Sequence, residues 1–444
     1  MTTMRPRISR GLVGNSIALL AMTHISSLLG YVFWMVCAHG VSASVIGMTS
    51  TVTGAMTLIA LVAVAGFMPM LTRLLPGASS EERSGLCSTA FVVAVVVSGL
   101  AGVVGVLLLP HSLRTAIGTG WLFALLPAGS VGTALMFVMN SALLGVRRAE
   151  LSLLGTVVGS VSRLVSVAAL LSLGVVAAGA DASSAHMILT LWVASLMLSF
   201  GLSVVLLVRA TPGFRFHPGR IWFSRLRRVV AWDHIATLAV RSPFYLVPIL
   251  AAALFPPDQV GYLSIAAMIA TAFYAVAAAV SNALLAGCAD RPDRLPEQAR
   301  RAFALIGLLL VPPVVIACLL ASKILGLFGA EYAPHSALLV LGLLATFPDA
   351  LINVAVAMLR VQRRLVAVAA ISVAGATISI GLSWLLMPHL GIMGAGWAAL
   401  ASPMIVATTL TAIVCHRSFA GTRTVGSAST TGADIADKPA MELS

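Results

Sequence analysis

Twelve separate apolar runs, each about as long as a bilayer is thick, take up almost all of this chain. They fall at about 12–37, 45–71, 87–109, 121–146, 151–177, 187–208, 229–254, 261–287, 302–322, 338–359, 365–387 and 392–415. A helix crosses the hydrocarbon core with roughly 20 apolar residues, whereas a barrel strand needs about 10. Backbone in lipid must satisfy its own hydrogen bonds, and a helix does so within one segment. With 59% hydrophobic and 9% charged residues over 444 positions, the chain has too little polar surface for a water-solvated fold. The reading is an all-α polytopic membrane protein, which restricts function to transport, channel conduction, membrane enzymology or scaffolding.

Basic residues orient the chain. Arg5, Arg7 and Arg10 precede the first run, Arg73 and Arg83 follow the second, and Arg147 and Arg148 follow the fourth. Six more, from Arg209 to Arg228, lie between runs six and seven. Arg291, Arg294, Arg300 and Arg301 follow run eight, Arg360, Arg363 and Arg364 follow run ten, and Arg417, Arg423 and Lys438 lie in the tail. That places 23 of the 27 Lys and Arg on one side, against Arg114 and Lys323 on the other. Positive charge stays cytoplasmic, so both termini are expected inside a cell (plasma or inner) membrane. The formal charge of +13 is then an orientation signal, and its spread over many loops argues against nucleic acid as a partner. The first run is longer than a signal h-region and reads as a span, with no cleavable signal peptide expected. The five cysteines lie in or at the ends of runs without CxxC spacing and read as packing residues.

The segment 209–228 divides the chain into an N-terminal six-helix lobe (1–208) and a C-terminal one (229–417), followed by a disordered cytoplasmic tail (418–444). In the divider, Ile221, Trp222, Leu226 and Val229 fall near one helical face and Arg220, Arg227 and Arg228 on another. That suits a short interfacial helix drawn to anionic lipid, or a plain basic linker. The halves resemble each other at a shift of about 214 residues. Val45-Ile46-Gly47-Met48 matches Gln259-Val260-Gly261-Tyr262, and Leu144-Gly145-Val146-Arg147-Arg148 matches Leu359-Arg360-Val361-Gln362-Arg363-Arg364. Both halves begin on the same side, so the repeats are parallel, related by an axis along the membrane normal.

Four stretches carry a resemblance to a known family: Ala38-His39-Gly40-Val41-Ser42-Ala43-Ser44-Val45-Ile46-Gly47, Leu143–Arg148, Leu325-Gly326-Leu327-Phe328-Gly329-Ala330-Glu331-Tyr332-Ala333, and Leu390-Gly391-Ile392-Met393-Gly394-Ala395-Gly396-Trp397-Ala398. Together they resemble the polysaccharide (O-antigen type) flippases of the multidrug/oligosaccharidyl-lipid/polysaccharide (MOP) exporter superfamily, over nearly all of residues 10–415. The resemblance implies twelve transmembrane helices in two six-helix lobes, alternating access of a central cavity, and a polyprenyl-diphosphate-linked glycan as substrate. Membrane lipids, a glycan polymerase and glycosyltransferases would be its partners.

Ionisable residues at mid-membrane are costly and face a cavity or a partner, which makes each a candidate for function. Four lie well inside runs: His24, Arg163, Arg241 and Asp349. Asp233 is only about one turn inside run seven, and Glu150 is at the start of run five. Arg241 is the leading candidate, because its planar donor fork matches phosphate oxygens bidentately and stays charged. Pro243 and Pro248 after it predict a kinked helix. The competing role for Arg241 is a structural ion pair with Asp349. Arg163, in Gly159-Ser160-Val161-Ser162-Arg163, is a second phosphate or sugar contact or else is capped by carbonyls. His24 is a sugar contact or a satisfied interhelical histidine. Tyr31, Trp34, Asn140, Tyr245, Tyr274, Asn282 and Asn353 are available for glycan contacts.

No GxxxxGK[ST] loop, HExxH or GxSxG motif is present, so neither a cofactor nor a nucleotide is called for and the chain reads as a non-enzyme. Rival readings are a multidrug cation antiporter of the same superfamily, a membrane glycan polymerase or glycosyltransferase, a scaffold, and an unrelated twelve-span permease. The antiporter needs buried acids, of which only Asp349 lies at mid-membrane. The enzymes need acid–base groups gathered in a substantial outer loop, and the outer loops are short, Pro110–Gly120 offering only His111 and Arg114.

Overall fold

A computed structural model describes residues 25, 27–174, 181–211, 213–288 and 294–428. Among them there is no strand, and eleven helical segments are long and apolar enough to cross a membrane. The helices are α1 (Ser27–Gly40), α2 (Ala43–Val64), α3 (Phe67–Leu74), α4 (Ser80–Leu108), α5 (His111–Ile117), α6 (Thr119–Gly145), α7 (Ala149–Ser172) and α8 (Asp181–Ala210). They continue with α9 (Arg220–Leu254), α10 (Pro257–Cys288), α11 (Leu295–Leu319), α12 (Ala321–Gly326), α13 (Ser336–Leu344), α14 (Thr346–Val361), α15 (Leu365–Leu390) and α16 (Met393–Ala428). The eleven spans coincide with the second to twelfth apolar runs; most of the first run lies outside the described residues, and α1 is its described end. The protein is a multi-pass, all-helical membrane protein.

Proline and histidine account for two interruptions. The ring of Pro69 opposes the carbonyl of Ala65, so run two breaks between α2 and α3. The break is held open from the second half of the chain. His234 of α9 accepts the Gly66 N–H at 3.0 Å, and the same ring bonds the Val62 carbonyl. A side chain thus occupies the ladder position of the missing 66-to-62 bond. Likewise Pro348 opposes the carbonyl of Leu344, and run ten divides there into α13 and α14. In α9, Pro243 leaves the Ala239 carbonyl without its helical donor, and the Ser242 hydroxyl takes it at 3.1 Å, so this helix continues unbroken.

Two lobes form. In the first, α4 packs on α6, α7 on α8, and α2 and α8 on α6; in the second, α9 packs on α15, α15 on α16, and α10 on α13 and α14. The first lobe's interior is built around Phe67, Leu71, Leu75, Leu86, Ala90 and Leu143. Helix α2 joins the lobes by packing on both α9 and α10. The connections 41–42, 109–118 and 255–256 gather at one end, tied by bonds such as Ser112 Oγ to the Ala252 carbonyl at 3.1 Å. This is the arginine-poor end; the loops bearing Arg73, Arg147, Arg363 and their neighbours lie at the arginine-rich end.

The internal repeat has structural counterparts. Arg147 and Arg363 adopt φ of 61° and 59°, the left-handed region that favours glycine. Each sits just past its helix, and the following N–H reaches back: Arg148 N to the Leu143 carbonyl at 2.8 Å, Arg364 N to the Leu359 carbonyl at 2.9 Å. The same C-terminal cap closes α6 and α14. On the lobe boundary Ser50 donates to Ser264 at 2.9 Å, and the two are 214 positions apart. Gly47 and Gly261 have the same spacing, and a Cβ on Gly47 would collide with the Pro257 carbonyl oxygen while one on Gly261 would collide with that of Ala43. Ala43 and Pro257 are themselves repeat mates. Each residue meets its partner's counterpart, which is the signature of a two-fold contact.

Between the lobes, after a turn at Gly213, residues 214–219 run along α4. The N–H groups of Arg215, His217 and Gly219 donate to Ser84, Ser88 and Thr89 at 3.2, 3.1 and 3.2 Å. The short helix expected at Arg220–Val229 is not a separate element: its backbone is the first part of α9.

Candidate functional site

Arg163 lies on α7 about nine residues, or roughly 14 Å, from the arginine-poor end of that helix. Small residues bring α8 against it. A Cβ on Gly159 would stand 2.6 Å from the Cβ of Ser199, and Ser199 donates to the Gly155 carbonyl at 2.7 Å. This approach delivers Trp192 and Ser195 to the arginine. The guanidinium carbon stands 3.6 Å from the centre of the Trp192 ring and 5.8 Å from that of Phe33. Its Nε donates to Ser195 Oγ at 2.9 Å, and Ser195 in turn donates to the Trp192 carbonyl at 2.8 Å. Phe33, Trp34 and Trp192 pack mutually, with centroids 5.3–5.9 Å apart. Among the described residues no carboxylate lies within ion-pair distance of Arg163. Its charge is met by ring faces and one hydroxyl, a cation–π arrangement that holds the plane of the fork in place.

Arg241 lies on the unbroken α9 and is exposed, again with no ion pair among the described residues. Helical spacing puts Phe244 and Tyr245 beside it on one face. Tyr245 is close enough for the arginine's charge to act on its phenol, and its ring lies 3.7 Å from where a Cβ on Gly54 of α2 would be. Phe244 meets Tyr274 of α10 edge-on at 5.7 Å between centroids.

Asp349 occupies the first turn of α14, directly after the Pro348 break. Unpaired N–H groups and the helix dipole favour a negative side chain there. Its partner is Asn353, one turn on, whose Nδ2 donates to Asp349 Oδ2 at 2.8 Å and to the Asp349 carbonyl at 3.0 Å. Tyr274 lies within its electrostatic reach. The chain Phe244, Tyr274, Asp349, Asn353 therefore links α9, α10 and α14, with Arg241 at its edge. An ion pair between Arg241 and Asp349 is not formed.

Of the other candidates, Tyr31 donates to the Met268 carbonyl at 3.3 Å, linking α1 to α10 across the lobes. Trp34 is buried in the aromatic box around Arg163. Asn140 accepts from Ser152 at 2.8 Å and ties α6 to α7. Asn282 is exposed on α10. His24 lies outside the described residues, as does the side chain of Asp233. Trp192, Ser195 and Phe33 were not anticipated around Arg163. Pro348 beside Asp349 was the overlooked sign that this acid begins a new helix.

No protein-family model matches the chain, and no curated protein matches it in sequence. Solved structures do match in fold. A lipid II flippase MurJ in an inward closed conformation superposes with a TM-score of 0.71 at 13% identity, over 90% of this chain and 87% of that one. An inward-facing multidrug resistance MATE family transporter of the MOP superfamily gives 0.66 at 14% identity, over 94% and 99%. The MATE multidrug transporter DinF-BH gives 0.63 at 15%, over 94% and 98%. The chain has the two-lobed helical fold of MOP superfamily transporters.

Proposed function

We propose that this protein is a transporter that moves a lipid-linked oligosaccharide or polysaccharide precursor, or a related glycolipid, from the inner to the outer leaflet by alternating access. The observation that carries the reading is the polarity of the spans. Arg163 and Arg241 sit within them with no carboxylate in ion-pair distance among the described residues, and a permanent cation held in this way suits an anionic cargo. Arg241 is the phosphate ligand: it is exposed and has no ion pair among the described residues, and a bidentate arginine–phosphate pair offsets part of the cost of taking a diphosphate through the membrane. Arg163 contributes from the first lobe as a fixed charge. His24, Tyr245 and Asn353 contact the glycan or its linkage, and Asp349 sets the local field at the edge of the site. The lipid tail stays in the bilayer while rocking lobes carry the head group across. No chemical step is required, so the protein acts as a non-enzyme beside the polymerase and glycosyltransferases that supply and consume its cargo.

The arginine-rich end faces the cytoplasm of the cell membrane in this account. Reporter fusions after Arg148, Arg228 and Arg364 should read cytoplasmic, and fusions near Ala180 or Lys323 should not; a cytoplasmic signal at either of the latter contradicts the topology. The functional test is cytoplasmic-leaflet accumulation of lipid-linked glycan when the protein is removed, relieved by the wild-type chain.

One observation favours a second reading, cation antiport. Asp349 is a carboxylate within the spans whose bound partner is an amide rather than a base. A cell that gains sensitivity to lipophilic cations on deletion, with glycan delivery unchanged, would support that reading over ours.

A further inference from the structure

We propose that His234 is the positioning residue for Arg241: by filling the break between α2 and α3 it fixes the rotation of α9, so that Arg241 opens into the space between the lobes. The inference rests on the transport reading above and supplies what gives its phosphate ligand a direction.

Helical spacing sets the direction. At 3.6 residues per turn, positions 241 and 245 each lie within about 20° of position 234 around α9, on either side of it. His234, Arg241 and Tyr245 therefore form one stripe. Both ends of the stripe touch α2 of the first lobe. His234 accepts the Gly66 N–H at 3.0 Å and its ring bonds the Val62 carbonyl. The Tyr245 ring lies 3.7 Å from where a Cβ on Gly54 would be. Arg241 sits between these contacts, roughly 10 Å along the axis from His234 and 6 Å from Tyr245. The opposite face of α9 is occupied within its own lobe: Ala236, about 160° from His234, packs with Val368 and Ala369 of α15. Position 241 is thus aimed at the first lobe, yet Arg241 is exposed. An exposed residue bracketed by two contacts to the same neighbouring helix marks an opening between α2 and α9, not a lipid-facing surface.

Two features make His234 the residue that sets this rotation. First, α9 transmits it. The Ser242 hydroxyl takes the Ala239 carbonyl that Pro243 frees, at 3.1 Å, so the helix runs unbroken from His234 to Tyr245 and the stripe keeps its register. Second, the contact at His234 is directional, whereas the one at Tyr245 is not. A neutral imidazole carries one donor and one acceptor. The break at Gly66 leaves one N–H and one carbonyl of α2 without their ladder partners, and the ring answers both. Backbone groups left unmet within a span are costly, so few rotations of α9 satisfy the pair. An apolar side chain at 234 would fill the same space and leave both groups unpaired. Tyr245 meets Gly54 at ordinary van der Waals distance, a contact that tolerates turning. The direction of Arg241 is accordingly held two turns away, by a bond to the other lobe.

The test uses the full-length protein in cell membranes and reads direction by thiol chemistry, with no substrate needed. Arg241→Cys should react with a charged, water-soluble maleimide, counted over the parent protein's own cysteines. Adding His234→Ala should slow that reaction by about fivefold. Val240→Cys, half exposed on another face of α9, should keep its own rate in both backgrounds. His234→Asn places an amide oxygen where the accepting ring nitrogen stands, and should restore much of the labelling at 241. With Arg241 intact, His234→Ala should lower outer-leaflet glycan delivery and His234→Asn should recover part of it. An Arg241→Cys protein that is well expressed and never reacts overturns the direction. Equal reaction with and without His234 overturns the positioning role, as does a parallel change at 240 and 241, which reports general loosening. Failure of His234→Asn to restore labelling overturns it as well. If labelling behaves as predicted while cells lacking the protein accumulate no lipid-linked glycan, His234 still positions Arg241 and the glycolipid reading fails.

Discussion

The two lobes hold their arginines in opposite ways. Arg163 is clamped: Trp192 covers its guanidinium at 3.6 Å, and Ser195 fixes its Nε at 2.9 Å. Arg241 is exposed on a helix face beside Phe244 and Tyr245 and carries no ion pair among the described residues. Neither arrangement neutralises the charge, but they differ in what the charge can do. A clamped guanidinium presents a constant field and a fixed geometry. One with no ion pair among the described residues would, under the proposed function, be able to follow a phosphate as the lobes move. Under the proposed function, the contrast would give placement of the cargo to the first lobe and its grip to the second.

The largest effect that can break this contrast is on stability in the first lobe. Trp192→Ala removes the stacking face of Arg163 and the packing of Phe33 and Trp34, and should cost roughly 3 kcal/mol. Thermal unfolding in detergent should show a clear drop in midpoint and membrane abundance should fall; an unchanged midpoint would mean the box does not clamp the arginine. Arg163→Lys keeps charge and loses the flat fork, and should cost about 1–2 kcal/mol by the same measurement. At Arg241 the order of effects reverses. Arg241→Ala should leave stability within about 0.5 kcal/mol, as for other exposed substitutions, while transport falls severely, and Arg241→Lys should recover only part of it. The smallest effect belongs to Asp349→Asn. The structure pairs Asp349 with Asn353 rather than Arg241, so transport should fall less than in Arg241→Ala; an equal loss would restore the ion-pair role.

Much of this architecture was readable in the sequence. Eleven spans fell on apolar runs because lipid imposes one dominant demand, a continuous helix with apolar flanks. The repeat was visible at Gly47 and Gly261 and at Arg147 and Arg363, where backbone conformation or close approach restricts the choice of residue. Less legible were features that depend on which helices touch. Trp192 and Ser195 reach Arg163 from α8, and nothing in a uniformly apolar helix announces which of its faces meets a charge. His234 holds apart α2 and α3 from the other lobe, so its role has no local signature. Pro69 and Pro348 were present in plain view, yet proline within a span is compatible with a kink as well as a break. In α9 the Ser242 hydroxyl covers the carbonyl freed by Pro243, and the helix survives. Whether a proline breaks a span is decided by what neighbours the freed groups find.

The account turns on a free guanidinium in the second lobe gripping an anionic head group. Its most direct test is the leaflet distribution of lipid-linked glycan in cells whose only copy carries Arg241→Ala at wild-type abundance. Accumulation on the cytoplasmic face, with little reaching the outer leaflet, is the predicted result. Normal outer-leaflet delivery by that protein would contradict it.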